Sequence, residues 1–205
     1  MEENQGSNFI KGAAILTGAG LISKVIGLVY RMILPRLIGA AGIGLYEMAY
    51  PIYVTLLVVS RSGIPVSLAK LISDRLARGM EKSAFKIFRV GRIMSIFVGL
   101  FFSIMMYLLA HPISNMLNEK AYYPIVAIAP AIFFVSIMAT YRGFFQGFQN
   151  MLPTAISQVL EQLTRMATMI FLVLFLVKKG YSSGITAAGA TFGAVTGSII
   201  GLIVL

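Results

Sequence analysis

Residues 93–109, IMSIFVGLFFSIMMYLL, run seventeen positions without a charge. A helix rises about 1.5 Å per residue and the hydrocarbon core of a bilayer is about 30 Å thick, so this run is the length of a membrane span. Working outward from it, five more apolar runs of comparable length appear, at 9–34, 45–72, 125–145, 154–177 and 185–205. Breakers separate them: Pro35 with the Gly39 to Gly44 stretch, Gly79, His111 with Pro112, Pro124, Asn150 to Pro153, and Lys178 to Gly184. The pattern predicts an all-α integral membrane protein with six transmembrane helices in a single unit covering residues 1–205.

Composition agrees. The chain of 205 residues is 58% hydrophobic and 12% charged, against about 45–50% and about 25% for soluble domains. A net charge of +10 would suggest nucleic acid in a soluble protein, but here the cations lie between apolar runs, where they act as topology signals and exclude a nucleic-acid partner. There is no cysteine, which removes disulfides, thiolate metal sites and cysteine nucleophiles. Glu2 and Glu3 stand where a signal peptide carries basic residues, so the first span is expected to be retained. The chain stops at Ile203, Val204 and Leu205 without the polar flank that follows a span, which leads us to expect further helices beyond it.

Lys and Arg are retained in cytoplasmic loops. Lys11, then Lys70, Arg75, Arg78, Lys82, Lys86, Arg89 and Arg92, then Arg142 fall on the N-terminal side, nine in all; Arg31, Arg36, Lys120, Lys178 and Lys179 fall opposite. The excess predicts a cytoplasmic N-terminus, with Tyr107, Tyr122, Tyr123 and Tyr181 at the outer interface. The basic 72–92 segment, with Leu76, Met80, Phe85 and Phe88 among its cations, reads either as an amphipathic helix on the anionic inner leaflet or as a solvated loop. Gly189, Gly193, Gly197 and Gly201 repeat every four residues on the sixth span, a small-residue ridge for close helix packing.

The informative residues are polar ones at membrane depth. Lys24, Arg61 and Arg165 lie inside apolar runs. Facing lipid, they would together cost about 8–10 kcal/mol, so they are expected to face protein or water. Arg31, seven residues after Lys24, returns to nearly the same helix face. Arg61 sits in Ser60-Arg61-Ser62-Gly63-Ile64-Pro65. Pro65 removes a backbone donor and clashes with the carbonyl of Arg61, which predicts a kinked or unwound second helix there. A guanidinium beside a broken helix suits the bidentate capture of phosphate oxygens, or an internal ion pair. On the fifth span Thr154, Gln158, Glu161, Arg165 and Thr168, with Gln162 beside them, form one polar stripe that reads as the wall of an aqueous cavity. Glu161 and Arg165, four apart, are also placed to pair. Glu47 sits near the rim of the second helix. No glycine-rich loop ending in Lys-Ser or Lys-Thr occurs, and His111 has no acidic or thiol companions, so neither a nucleotide engine nor a catalytic or metal centre is expected, and no cofactor.

Two stretches, GAGLISKVIGLVYRMILPRLIGAAGIGLYEMAYPIYVTLLVVSRSGIPVSLAKL and YRGFFQGFQNMLPTAISQVLEQLTRM, resemble the polysaccharide-flippase branch of the multidrug/oligosaccharidyl-lipid/polysaccharide (MOP) superfamily, and within it the sporulation and lipid II flippases. Tyr141 to Ala155 carries the more specific part of the likeness. The resemblance extends over nearly the whole chain and aligns it with the amino-terminal lobe of a MATE-like fold. It implies a second lobe of the same polypeptide related by pseudo-two-fold symmetry, and a cationic cavity opening alternately to each side of the bacterial plasma membrane. The implied substrate is an undecaprenyl-pyrophosphate-linked sugar, either lipid II or a polysaccharide unit. Membrane lipids and cell-wall synthesis enzymes are the other implied partners. Lys24 matches an arginine position of the lipid II flippases, Arg61 lies close to their second-helix cation, and their other first-helix cation aligns with Tyr30, next to Arg31. The expected binding set is Arg61, Lys24, Arg165, Glu161, Gln158 and Arg31. Two rival readings are a multidrug exporter of the same superfamily, which would need an acidic cavity, and a non-transporting scaffold acting through its basic loop.

Overall fold

The computed structural model describes the backbone of residues 2–61 and 63–205 and the side chains from Lys11 onward, apart from residue 62. Ser62 and the side chains of Glu2, Glu3 and Phe9 therefore lie outside the described residues. The chain forms α1 (Glu2–Arg61), α2 (Ile64–Ala77), α3 (Glu81–Leu117), α4 (Tyr122–Gly147), α5 (Leu152–Lys178) and α6 (Ser183–Ile203), with a 3-10 turn at Glu119–Ala121 before α4. No strand occurs among the described residues.

Among the described residues, five helical stretches are long and apolar enough to cross a membrane, the first running Lys11–Ala77 through α1 and α2. That first stretch doubles back. In a straight helix the sixteen-residue step from Tyr30 to Tyr46 would separate them by about 24 Å, yet their hydroxyls are 3.1 Å apart. The reversal is at Gly39, whose φ of 67° and ψ of 179° lie in a region open essentially to glycine alone. Pro35, equally a candidate from sequence, stays within the helix. The arms on either side of Gly39 make separate passes, so the six helices expected from the hydropathy pattern are present.

The break expected at Pro65 is also present. α1 ends at Arg61, Gly63 takes φ 74°, and Pro65 falls in the first turn of α2, where a missing N–H leaves no bond unmade. α2 then lies against α4 at very short range: a Cβ on Gly143 would stand 2.7 Å from the carbonyl oxygen of Pro65.

The basic segment is not a loop: α2 continues to Ala77 and α3 starts at Glu81, with a tight turn between them. Leu68 and Ile72 pack on Ala84, with Ile87, Phe88 and Phe144 around them, and Phe85 reaches Phe144 and Phe148. Of the apolar side chains assigned by pattern to a bilayer surface, Leu76 and Phe88 pack in this helical hairpin, whereas Met80 and Phe85 remain exposed. His111 and Pro112, taken as breakers, lie inside α3.

α4 and α6 are the inner helices, each with a long buried face built around Ile125, Ile128, Ile132, Met138, Ala187 and Ala194. The glycine ridge of α6 runs along α5: a Cβ on Gly193 would meet the Arg165 carbonyl at 2.7 Å, and one on Gly197 the Glu161 carbonyl at 2.7 Å. Small residues thus draw α6 onto the back of α5 at the level of its charged pair, which leaves the front of α5 to α1. Ser23 completes that side by donating to the Gln158 carbonyl at 3.4 Å.

Candidate functional site

Two open clefts lie along the front of α5. The larger, about 540 Å³, has walls from α1, α2, α4 and α5 and includes Arg61, Pro65, Arg142, Gln146, Thr154 and Gln158. The smaller, about 460 Å³, lies between the first arm of α1 and α5 and includes Lys24, Arg31, Tyr50, Gln158, Gln162 and Arg165. Gln158 stands on both walls, so the two clefts form one groove. From Thr154 to Arg165 the groove follows α5 for about 16 Å.

Five of the six residues expected in the site are on these walls. Arg61 is exposed at the end of α1, where the helix break turns it into the larger cleft. Lys24 and Arg31, about two turns apart, share the smaller cleft with Arg165, and Gln158 joins the two. Arg31 also approaches Glu47 at 4.0 Å, a long contact between two half-exposed side chains; at such exposure its contribution is small.

The sixth, Glu161, is on neither wall. It is 7% exposed and sits behind the groove. Its Oε1 accepts from Arg165 Nη2 at 3.0 Å and its Oε2 from Arg142 Nη2 at 2.9 Å. The same Arg142 nitrogen donates to Ser157 Oγ at 2.9 Å, and Ser157 in turn donates to the Gly201 carbonyl at 2.8 Å. Both oxygens of the carboxylate are therefore engaged by guanidinium groups, and Glu161 acts by fixing two arginines. The stripe read along α5 divides, with Gln158 and Arg165 facing the groove and Glu161 turned toward α4 and α6.

Arg142 is the groove residue that charge counting misplaced. Counted as a loop cation, it belongs to the last two turns of α4 and points inward, where its partner Glu161 offsets part of its desolvation. The signal was available, because Arg142 falls inside the apolar run delimited as 125–145. A ladder of tyrosines was likewise unforeseen: Tyr46 stacks on Tyr50 at 5.3 Å, Tyr50 meets Tyr53 at 5.9 Å, and Tyr30, Tyr46 and Tyr50 surround Arg165 in a small internal pocket.

The electrostatics of the groove are one-sided. Lys24, Arg31, Arg61, Arg142 and Arg165 face it, and among the described residues no carboxylate does. Lys24, Arg31 and Arg61 are exposed, whereas Arg142 and Arg165 are largely buried and held by Glu161; the planar forks of the four arginines match phosphate oxygens.

Fold and groove together define a polytopic helical membrane protein with a cleft lined by cationic side chains. Residues 9–205 match the family described as polysaccharide biosynthesis protein, and the chain belongs to that family. It is 35% identical to stage V sporulation protein B of Bacillus subtilis over 153 residues, 73% of this chain and 29% of that protein. It is 32% identical to the lipid II flippase MurJ of Bacillus subtilis over 162 residues, 74% of this chain and 30% of that protein. The chain thus spans under a third of the length of these relatives. Among solved structures, a MOP superfamily transporter from Pyrococcus furiosus, described as having a binding pocket of reverse polarity, superposes with a TM-score of 0.72 at 16% identity, over 92% of this chain and 43% of its own.

Proposed function

We propose that this chain is one lobe of a flippase that carries undecaprenyl-pyrophosphate-linked sugars, lipid II or polysaccharide units, across the bacterial plasma membrane by alternating access. The observation that carries the reading is the groove of five cations without a facing acid. Arg61, Lys24 and Arg165, joined by Arg142 and Arg31, hold the pyrophosphate; Gln158 offers an amide to phosphate or sugar; Glu161 sets the two arginines at its sides. The isoprenoid tail stays in the lipid while a second lobe of the same polypeptide closes the groove from the other face and rocks against this one. The N-terminus lies in the cytoplasm, on the side of the basic α2–α3 turn. No bond is made or broken, and membrane potential supplies bias, about 2.3 kcal/mol for each charge moved through 100 mV. Cell-wall synthases are the enzymes that would take the delivered units.

A multidrug exporter would bind organic cations and would need carboxylates where this groove carries guanidinium groups. A scaffold would act through the exposed cations of the α2–α3 turn and leave Arg61 idle. Arg61→Ala in the full-length protein decides among these: export of lipid-linked sugar should be lost while the protein remains in the membrane at normal level. Unchanged export would overturn the assignment. Neutralising Arg78, Lys82 and Lys86 with Arg61 intact should spare export, whereas a scaffold would lose its activity.

A further inference from the structure

Glu161 is where the two halves of the groove meet from behind. One carboxylate oxygen holds Arg142, which faces the larger cleft, and the other holds Arg165, which faces the smaller. Each guanidinium gives Glu161 a single Nη2, and the Nε of both is buried without a hydrogen-bond partner among the described residues. One negative charge is thus divided between two cations that look into different clefts of the groove, and both cations retain an unused donor.

Such a carboxylate cannot satisfy both arginines fully. An oxyanion that draws Arg142 toward the larger cleft loosens its hold on Glu161, and the carboxylate then settles on Arg165 and lowers the attraction of the smaller cleft. The converse holds for an oxyanion at Arg165. We propose that the clefts are two anion stations set in opposition by Glu161, so that a pyrophosphate group passes from one to the other past Gln158 instead of straddling both. This rests on the reading of the groove as a pyrophosphate path and adds to it a handover step, with Glu161 as a positioning residue that never touches the substrate.

The absence of cysteine makes the test direct. Val66 on the larger cleft and Leu28 on the smaller are 72% and 63% exposed, so Val66→Cys and Leu28→Cys, made singly in the full chain, report occupancy through their rates of reaction with a water-soluble thiol reagent. Inorganic pyrophosphate is the probe. It should slow both reactions, with midpoints differing by about tenfold or more, within the usual range of coupled sites. In a Glu161→Gln background, which keeps the size and one acceptor oxygen, the midpoints should converge and both should fall. Arg142→Gln supplies a second arm, because with Glu161 left wholly to Arg165 the midpoint at position 28 should rise. Midpoints at position 28 unmoved by either substitution would overturn the opposition while leaving anion binding intact. Protection of neither cysteine in the parent chain would overturn the anion groove itself.

Discussion

Arg142 Nη2 on α4 lies 2.9 Å from Glu161 Oε2 on α5, and this pair, together with Arg165, is the charged centre of the bundle. The Arg142 side chain is 17% exposed and that of Glu161 9%, so removing one partner strands a charge that water reaches poorly. Breaking a buried pair costs about 3–5 kcal/mol; with the groove wetting one edge, we expect Arg142→Ala to cost about 2–3 kcal/mol, read as a fall in melting temperature in detergent. Arg142→Ala with Glu161→Ala should be less destabilising than the two single losses added together. Strict additivity would show that the two side chains do not interact.

Gly39 is held open by backbone alone, with nothing within 4 Å of a Cβ placed there. Gly39→Ala should therefore cost about 1–3 kcal/mol through strain without any clash. A thermal melt checks this, with Gly18→Ala as the reference, which also meets nothing, has no positive φ and lies inside α1, so it should raise stability by about 0.5–1 kcal/mol.

Gly189 and Gly197 belong to one ridge yet should respond differently. A methyl on Gly189 meets Leu176 Cδ1 at 2.6 Å, the end of a flexible side chain, whereas one on Gly197 meets the Glu161 backbone oxygen at 2.7 Å. Gly197→Ala must push α6 from α5 and should cost about 1–3 kcal/mol; Gly189→Ala should cost less, because Leu176 is able to turn away. Equal melting temperatures would contradict the described α5–α6 contact.

Much of this was legible in the chain. Six apolar runs are a physical requirement of crossing lipid, and Pro65 cannot be accommodated in a helix without an effect at Arg61. The division of the α5 stripe was not legible, because periodicity places Glu161 and Arg165 in one stripe without saying which neighbour each side chain meets. The inward turn of Arg142 was lost for a related reason: position near a helix end suggested a topology signal, and its partner lies nineteen residues away on another helix. The α2–α3 hairpin escaped because its apolar residues suit a membrane surface and a packed helix pair equally well.

Charge on the groove wall should govern what it accepts. Gln158→Glu would place an acid between the two clefts, and export of lipid-linked sugar should fall at least tenfold, about 1.4 kcal/mol, in a quantitative export assay. Equal export would mean that the wall charge does not contact the substrate.

The account depends on the cations facing water and the substrate's phosphate. Single cysteines at positions 28, 58 and 66 of the full-length protein, which are exposed on the groove beside the cations, should be modified by membrane-impermeant thiol reagents, and lipid-linked pyrophosphate should protect them, while the fully buried position 132 stays silent. Reagent failing to reach positions 28, 58 and 66, or reaching them with no response to substrate, would contradict it.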